Sequence, residues 1–188
     1  MWRMIIVLVV TVLAACQTTA YEGNENSPYY KVPIGSKLIL HQEIEIPPHL
    51  AGIYLQAGKI VPLAQVNQYY PHCKFEVFKL KDTPQLIQAD EFLIKKVVQE
   101  MTHSVSADRL QLAAVSIGMG IHIGIDDDSS PLLTYVTRLD LYSEKQPDVF
   151  RLSCGLWAYP PKGQHVTIRE IRQVLGEVFT LQTAQDRR

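Results

Sequence analysis

The sequence predicts a mainly β domain, an antiparallel sandwich or open barrel with one C-terminal helix packed on it. Several short segments carry apolar residues at every second position, which is the pattern of a strand with one buried face. Turn-forming residues separate these segments, and we find no pattern for the crossover helices that a parallel sheet requires. A helix start signal occurs near the C-terminus, so we expect one helix there.

The first half of the chain contains three such alternating segments. Residues 38–46 form the first, and Pro47 and Pro48 end it because neither can donate a hydrogen bond to a β-ladder. Residues 53–56 and 73–80 form the next two. We therefore expect three strands in this half, separated by turns.

The segment from residue 90 to residue 101 is ambiguous. Leu93 and Val97 would share one face of a helix, whereas Phe92 and Ile94 fit a strand. We favour the strand because the neighbouring segments are strands.

Residues 115–125 alternate most strictly, with bulky residues opposing small ones. Gly118, Gly120 and His122 lie on the small face, which makes them a candidate site for a small ligand or a metal. The spacing argues against a dinucleotide loop, because its last glycine would fall on Ile123 and because we expect no helix to follow. The glycines otherwise allow a close approach of the backbone or a sharp twist.

Residues 133–141 and 150–156 flank a turn at 146–148, so they predict a β-hairpin. On its second strand the period of two places Phe150 on the same buried face as Cys154. Both strands are longer than those of the first half, and we expect them to lie within the sheet.

The end of the chain carries the helix signal. Thr167 and Glu170 form a T-x-x-E capping box, and Val166 and Ile171 are placed as a hydrophobic staple. Gly176 is positioned to end the helix. The residues that follow Gly176 are expected to return to an extended conformation.

The beginning of the chain has the features of a secretory leader. Arg3 precedes a run of apolar residues from Met4 to Ala15, which only Thr11 interrupts. A transmembrane helix needs about 20 such residues, so this run is too short to span a bilayer. Its length and small terminal residues are typical of a signal peptide, here residues 1–15.

Residues 13–16, Leu-Ala-Ala-Cys, resemble the lipobox of bacterial lipoproteins. The resemblance implies that Cys16 becomes the lipidated first residue and that its acyl chains attach the protein to a membrane. An ordinary cleavage with Cys16 incidental is the alternative. Because Gln17 rather than aspartate follows the cysteine, the resemblance implies the outer membrane, with the domain facing the periplasm.

The mature chain divides into a tether, one domain and a tail. Residues 16–35 are polar and rich in turn-forming residues, which predicts a flexible tether. Residues 36–182 suit a single globular domain, and residues 183–188 form a polar tail. The chain has 18 basic side chains, Arg3 of the leader included, against 19 acidic ones, so the mature charge argues against nucleic acid as a partner.

We find no motif for catalysis, for a metal or for a cofactor. The hydrolase patterns G-x-S-x-G and S-x-x-K are absent from the sequence. Residues 126–128 are acidic, but an EF-hand would need glycine and glutamate where Pro131 and Thr137 stand. The six histidines are scattered, although a metal site assembled in space stays open. We therefore predict no catalytic residue, no metal site and no cofactor.

Cys73 and Cys154 remain once Cys16 is committed to lipid. Two cysteines in an oxidising compartment are expected to pair. Two separately buried thiols, or a metal site that uses His72, are the alternatives. The chain-entropy model gives a disulfide that closes so long a loop about 4 kcal/mol of stability.

The chain also resembles a family of uncharacterised proteobacterial lipoproteins. The residues that carry the resemblance are the lipobox, the I-P-P run at 46–48, the segment 70–77, the pair Cys154-Gly155 and Thr167. The resemblance covers most of the mature chain. Such a family has no established activity, so it implies no functional residues.

Three functions remain open. The first is a non-enzymatic accessory or binding module of the envelope that contacts an unknown protein partner, because an anchor accompanies a domain without catalytic signatures. The second is a binder of a small ligand or metal, and the third is an envelope hydrolase with an unrecognised site. An exposed apolar patch would favour the first, an apolar cavity the second and a deep polar pocket the third.

Replacing Cys16 tests the anchor. Cys16→Ala is expected to leave an unprocessed precursor or a protein lost from the membrane fraction, because no lipid can be attached. Fractionation and the mass of the N-terminal peptide measure this outcome. A mature, membrane-bound Cys16→Ala protein would contradict the prediction.

Overall fold

A computed structural model describes residues 23–104 and 131–186. It confirms the predicted fold class, since the protein is mainly β and its large antiparallel sheet curls into a half-barrel with a single C-terminal helix. Ten strands and one α-helix occur in the described residues. The strands are β1 Lys37–Leu40, β2 Ile44–Ile46, β3 Gly52–Gln56, β4 Lys59–Val61, β5 His72–Val77, β6 Gln85–Ile87, β7 Asp90–His103, β8 Leu133–Tyr142, β9 Val149–Ala158 and β10 Phe179–Gln182.

The eight-stranded sheet has the order β10-β1-β7-β8-β9-β5-β3-β4, and the remaining strands β2 and β6 form a separate two-stranded sheet. Neighbours in the large sheet are antiparallel throughout. One face of the large sheet carries most of the core. The largest fully buried side chains include Phe75, Phe92, Phe179, Leu38, Leu55, Leu139 and Leu152.

The centre of the sheet is the meander β7-β8-β9. The ambiguous segment 90–101 is a strand, as favoured, and β7 continues it to His103. β8 alternates without exception between buried and partly exposed residues over Leu133 to Leu141. β9 returns beside it as the predicted hairpin.

The register between β5 and β9 shifts after Glu76, which corrects one expectation. This irregularity brings Val149 opposite Val77, and both side chains are buried. Phe150 is therefore only half-buried and stacks on Phe78, with ring centroids 4.0 Å apart. The prediction that Phe150 shares the buried face of Cys154 was wrong because an irregular strand breaks the period of two.

The first predicted strand, residues 38–46, is two strands. β1 pairs within the large sheet, whereas β2 pairs with β6. The apolar residues of both remain buried, because the two sheets contribute to one core. Alternation along the sequence therefore continues across a change of sheet, which is why it predicted a single strand.

The helix α1, Ile168–Leu175, begins as predicted at Thr167. The Thr167 hydroxyl oxygen accepts from the Glu170 backbone N–H at 3.1 Å, and the Glu170 carboxylate accepts from the Thr167 N–H at 2.8 Å. These bonds satisfy two backbone donors that a helix start leaves without partners. The buried residues of α1 are Ile168, Ile171, Val174 and Leu175.

Gly176 ends the helix, also as predicted, with φ at +57°. Its backbone lies against Gly58 in the turn between β3 and β4, and a Cβ on Gly176 would come within 2.5 Å of the Gly58 Cα. The Gly58 N–H donates to the Val174 carbonyl at 3.1 Å, which satisfies a carbonyl at the helix end. The end of α1 and the β3-β4 turn are thus held together by close backbone contact.

The described part of the predicted tether lies against the domain. Val32 is buried, and Glu25 forms an ion pair with Arg172 of α1. The Tyr30 hydroxyl donates to Gln185 at 2.7 Å, so the N-terminal segment also meets the residues after β10. Residues of this segment from Glu25 to Val32 therefore contact the domain.

Cys73 of β5 and Cys154 of β9 form the expected disulfide. The two residues are direct cross-strand partners, and both side chains are buried. The bond joins neighbouring strands and closes a loop of 81 residues. It therefore constrains the unfolded chain far more than the folded one.

Removing this bond tests its contribution to stability. Cys154→Ser is expected to lower the free energy of unfolding by about 4 kcal/mol, because the unfolded chain regains the freedom of the open loop. Chemical unfolding of the variant and of the reduced wild type measures the loss. Rapid labelling of both wild-type cysteines by a thiol reagent, without prior reduction, would contradict the bond itself.

Candidate functional site

A groove of about 430 Å³ opens beside the last two strands of the large sheet. The turn before β3, which contains Leu50, forms one wall, and the end of β4 with Pro62 and Leu63 forms the other. The full lining is Glu45, Pro47, Leu50, Ala51, Gly52, Ile53, Tyr54, Ile60, Val61, Pro62, Leu63 and Lys74.

The groove exists because β4 is shorter than β3. The two strands form a hairpin whose turn residues Ala57 and Gly58 both have positive φ, as a type I′ turn requires. β4 pairs with β3 only at Tyr54–Gln56, and Pro62 follows its last residue and cannot continue the ladder. Within the described residues, Gly52 and Ile53 of β3 consequently have a strand partner on the β5 side alone.

The walls of the groove expose large apolar side chains. Leu50 is 49% exposed, Ile60 42% and Leu63 58%. Only two of the lining residues, Glu45 and Lys74, carry charge. Lys74 lies 5.7 Å from the centroid of the Tyr54 ring and forms an ion pair with Glu76 at 3.1 Å. The groove is therefore an apolar surface with one cation and one carboxylate at its border.

A second cluster lies on the sheet face opposite the core. The Glu76 side chain is 9% exposed. One carboxylate oxygen accepts from Arg151 Nε at 2.7 Å and from the Ser153 hydroxyl at 2.8 Å. The other oxygen accepts from Arg151 Nη2 at 3.3 Å and is the one paired with Lys74. Both oxygens are thus occupied by protein donors.

These contacts determine the protonation of Glu76. Burial acts to raise the pKa of its carboxyl, but hydrogen bonds from Arg151, Ser153 and Lys74 outweigh burial, so the pKa is lowered. The carboxylate is ionised and fully engaged, and it has no oxygen free for a substrate proton. The arrangement suits a structural ion pair and does not suit a general base.

The histidines are dispersed across the described residues. Burial lowers the pKa of His72, whose Nδ1 lies 3.0 Å from the Tyr70 carbonyl oxygen. Burial, and secondly the charge of Lys31, lower the pKa of His165. Residues 23–104 and 131–186 contain no group of three or more metal-ligating side chains.

The structure describes some of the predicted site residues and not others. It joins Cys73 to Cys154. Cys16, Gly118, Gly120 and His122 lie outside the described residues, so those predictions stay open. Sequence reasoning missed the groove. Pro47 and Pro62, which line it, were the local signs that strands end at its border.

Comparisons with known proteins give no relative. No protein-family model matches the chain, and no curated protein or solved structure matches it at a significant level. In the part of the chain that the structure describes, no helix is both long and apolar enough to cross a membrane.

Replacing Glu76 tests the ion cluster. Glu76→Gln is expected to lower the free energy of unfolding by about 1–3 kcal/mol at neutral pH, because Arg151 and Lys74 lose their shared carboxylate. Since the pKa of Glu76 in the folded protein lies below its ordinary 4.5, the stabilisation is present above that value and is lost as pH falls through the folded pKa. The free energy of unfolding of Glu76→Gln should therefore fall less than that of the wild type as the pH is lowered.

Chemical unfolding at neutral and acidic pH measures both effects. Glu100→Gln is the matched control, since Glu100 pairs with Arg138 at 2.8 Å but both side chains are more than a third exposed. Equal losses in the two variants would show that burial of the Glu76 cluster contributes nothing.

Proposed function

We propose that the protein is a membrane-anchored envelope lipoprotein that works by binding a partner protein, and that the groove receives the partner. The anchor is the lipid on Cys16, which the leader and the lipobox-like residues 13–16 support. The outer membrane is the proposed location, supported by Gln17. Binding, and not catalysis, is the proposed activity.

The observation that supports this function best is the start of β3, which has no partner in β4 and forms the floor of an apolar groove. Among the described residues, Gly52 and Ile53 pair with β5 on one side and have no partner strand on the β4 side. An extended segment of another protein can continue the ladder there and place apolar side chains against the walls. Leu50, Ile60 and Leu63 are the side chains that such a partner would cover.

The charge distribution supports binding over catalysis. The Glu76 carboxylate is buried on the outer sheet face, and protein donors occupy both of its oxygens. The groove itself offers Glu45 and Lys74 as its only charged side chains, and Lys74 is engaged with Glu76. The described residues thus offer an apolar contact surface more readily than a site for proton transfer.

A small apolar ligand is the second candidate. The groove volume of about 430 Å³ falls within the roughly 300–1,000 Å³ that is usual for small-molecule sites. Lys74 could then contact an anionic group at the end of the ligand. This candidate shares the site but differs in the partner, so one experiment can separate the two.

Photo-crosslinking in intact cells tests the proposal. A photoreactive side chain in place of Leu63 is expected to give a discrete protein adduct, whereas one in place of Leu93, exposed on β7, should not. Adding Ile60→Glu should lower the adduct at position 63 by roughly fivefold or more, because a charge replaces an apolar anchor of the interface.

Ile60 is 42% exposed, so melting of the purified variant should show a retained fold. If position 63 gives no protein adduct, while the purified protein enhances the fluorescence of N-phenylnaphthylamine and Ile60→Glu abolishes that signal, the small-ligand candidate replaces the first. Equal adducts at positions 63 and 93 would reject the groove as a protein-binding site.

A further inference from the structure

The docked N-terminal segment shortens the connection between the domain and its anchor. Gly23 is the first described residue, seven positions after Cys16. Seven residues span at most about 25 Å even when fully extended. A domain of this size has a radius of gyration of roughly 15 Å, so such a connection cannot reach around it. With the proposed lipid on Cys16, the bilayer would meet the side of the domain on which Gly23 lies.

On that side the N-terminal segment contacts the end of β7, the start of α1 and the residues after β10. Gln99 of β7 donates to the Pro28 carbonyl at 3.3 Å. Met101, two residues further along β7, pairs with Tyr135, whose ring meets His165 with centroids 5.7 Å apart. The N-terminal segment, the far end of β7 and the loop that leads to α1 therefore form one continuous surface.

The start of α1 completes this surface. The Arg169 N–H donates to the Glu25 carbonyl at 3.3 Å, and its guanidinium donates to the Asn26 side chain at 3.4 Å. Lys162 closes a turn by donating its N–H to the Tyr159 carbonyl at 3.1 Å. Ala158, just before this turn, pairs with Leu133, which pairs with His103, so the turn follows the same end of the sheet as the end of β7.

We name this region the anchor-side surface. Tyr29 is 88% exposed, Met101 59% and Tyr159 52%. Tyrosines with an exposed apolar body and a polar tip are the residues that favour a membrane-water interface. The members of the surface are Tyr29, Lys31, Met101, Tyr159, Lys162 and Arg169.

The charges of the anchor-side surface are positive. Lys31, Lys162 and Arg169 are exposed. Of the described acids near these segments, Glu25 and Asp186 both pair with Arg172, and Glu100 pairs with Arg138. The chain as a whole carries a formal net charge of −1, so this local excess is not a general property of the protein. It complements a surface of anionic phospholipid.

We propose that the anchor-side surface rests on the phospholipid headgroups of the membrane to which the protein is attached. The proposal rests on the proposed lipid anchor at Cys16. The tyrosines and Met101 enter the interfacial layer, and the three basic side chains meet the lipid phosphates. The partner of this surface is a lipid bilayer, because the short connection to the lipid on Cys16 holds this side of the domain close to the membrane.

Photo-crosslinking of the full-length protein, purified from membranes, tests this surface. The protein is reconstituted in vesicles of phosphatidylethanolamine and phosphatidylglycerol, with a benzophenone side chain in place of Tyr29 or Tyr159. Tyr142 is the control position because it is 41% exposed at the opposite end of β8 from Leu133, which pairs with His103. Mass spectrometry measures the lipid adduct at each position and the lipid on Cys16.

We expect the yield of lipid adduct at positions 29 and 159 to exceed that at position 142 by roughly fivefold or more. Lys162→Glu is expected to lower the yield at position 159 by a similar factor. Lipidated protein with equal adducts at all three positions would overturn the surface and leave the anchor intact. Protein without lipid on Cys16 would overturn the anchor and the surface together. Phosphatidylcholine vesicles that give the same yields would reject the role of the basic side chains.

Discussion

The apolar side of α1 covers the curled sheet where its two halves approach each other. α1 contacts β10 near one end of the strand order and β5 and β3 near the other. Its four buried side chains belong to the same core cluster as those of the sheet. An eight-residue helix is too short to be stable alone in water, so its stability comes from this packing and from the Thr167 capping box. The half-barrel and the helix thus depend on each other.

The Gly58-Gly176 contact extends this dependence to the groove. Because Gly176 follows α1 and touches the β3-β4 turn, the helix end sets the position of the hairpin. The groove walls at Ile60 and Leu63 belong to that hairpin and the residues after it. A change that moves α1 would therefore move one wall of the groove, even though no residue of α1 lines it.

Local patterns in the sequence predicted the fold class and the long elements for clear reasons. β8 has one buried face along its whole length, so its period of two is visible, and Thr167 and Glu170 signal the helix because capping is local. The helix-or-strand ambiguity at 90–101 arises from the irregular pairing between Ile94 and Lys96. Short strands such as β4 and β6 contain too few residues to show any period.

Other features depend on residues far apart in the chain. The docking of the N-terminal segment uses Glu25 and Arg172, 147 residues apart, so its polar composition alone resembled that of a tether. The groove forms where β4 does not extend along the start of β3, and no local sequence pattern marks the absence of a partner strand. The members of the Glu76 cluster are also far apart in the chain, because they come from β5 and β9 and meet only through the register of the sheet.

The two proposed surfaces lie far apart on the sheet, and their separation bears on how the protein would work. The anchor-side surface includes the end of β7, whereas the groove borders β4, and the strand order places β8, β9, β5 and β3 between them. The register also connects Gly52 through Glu76, Arg151 and Asp140 to Lys96, five residues before Met101, so the groove lies toward the other end of the strands. A domain whose β7 end rests on lipid would therefore hold the groove to one side, clear of the bilayer. An apolar groove pressed against lipid would be occupied by acyl chains, whereas one held away from the bilayer would stay open to the proposed protein partner.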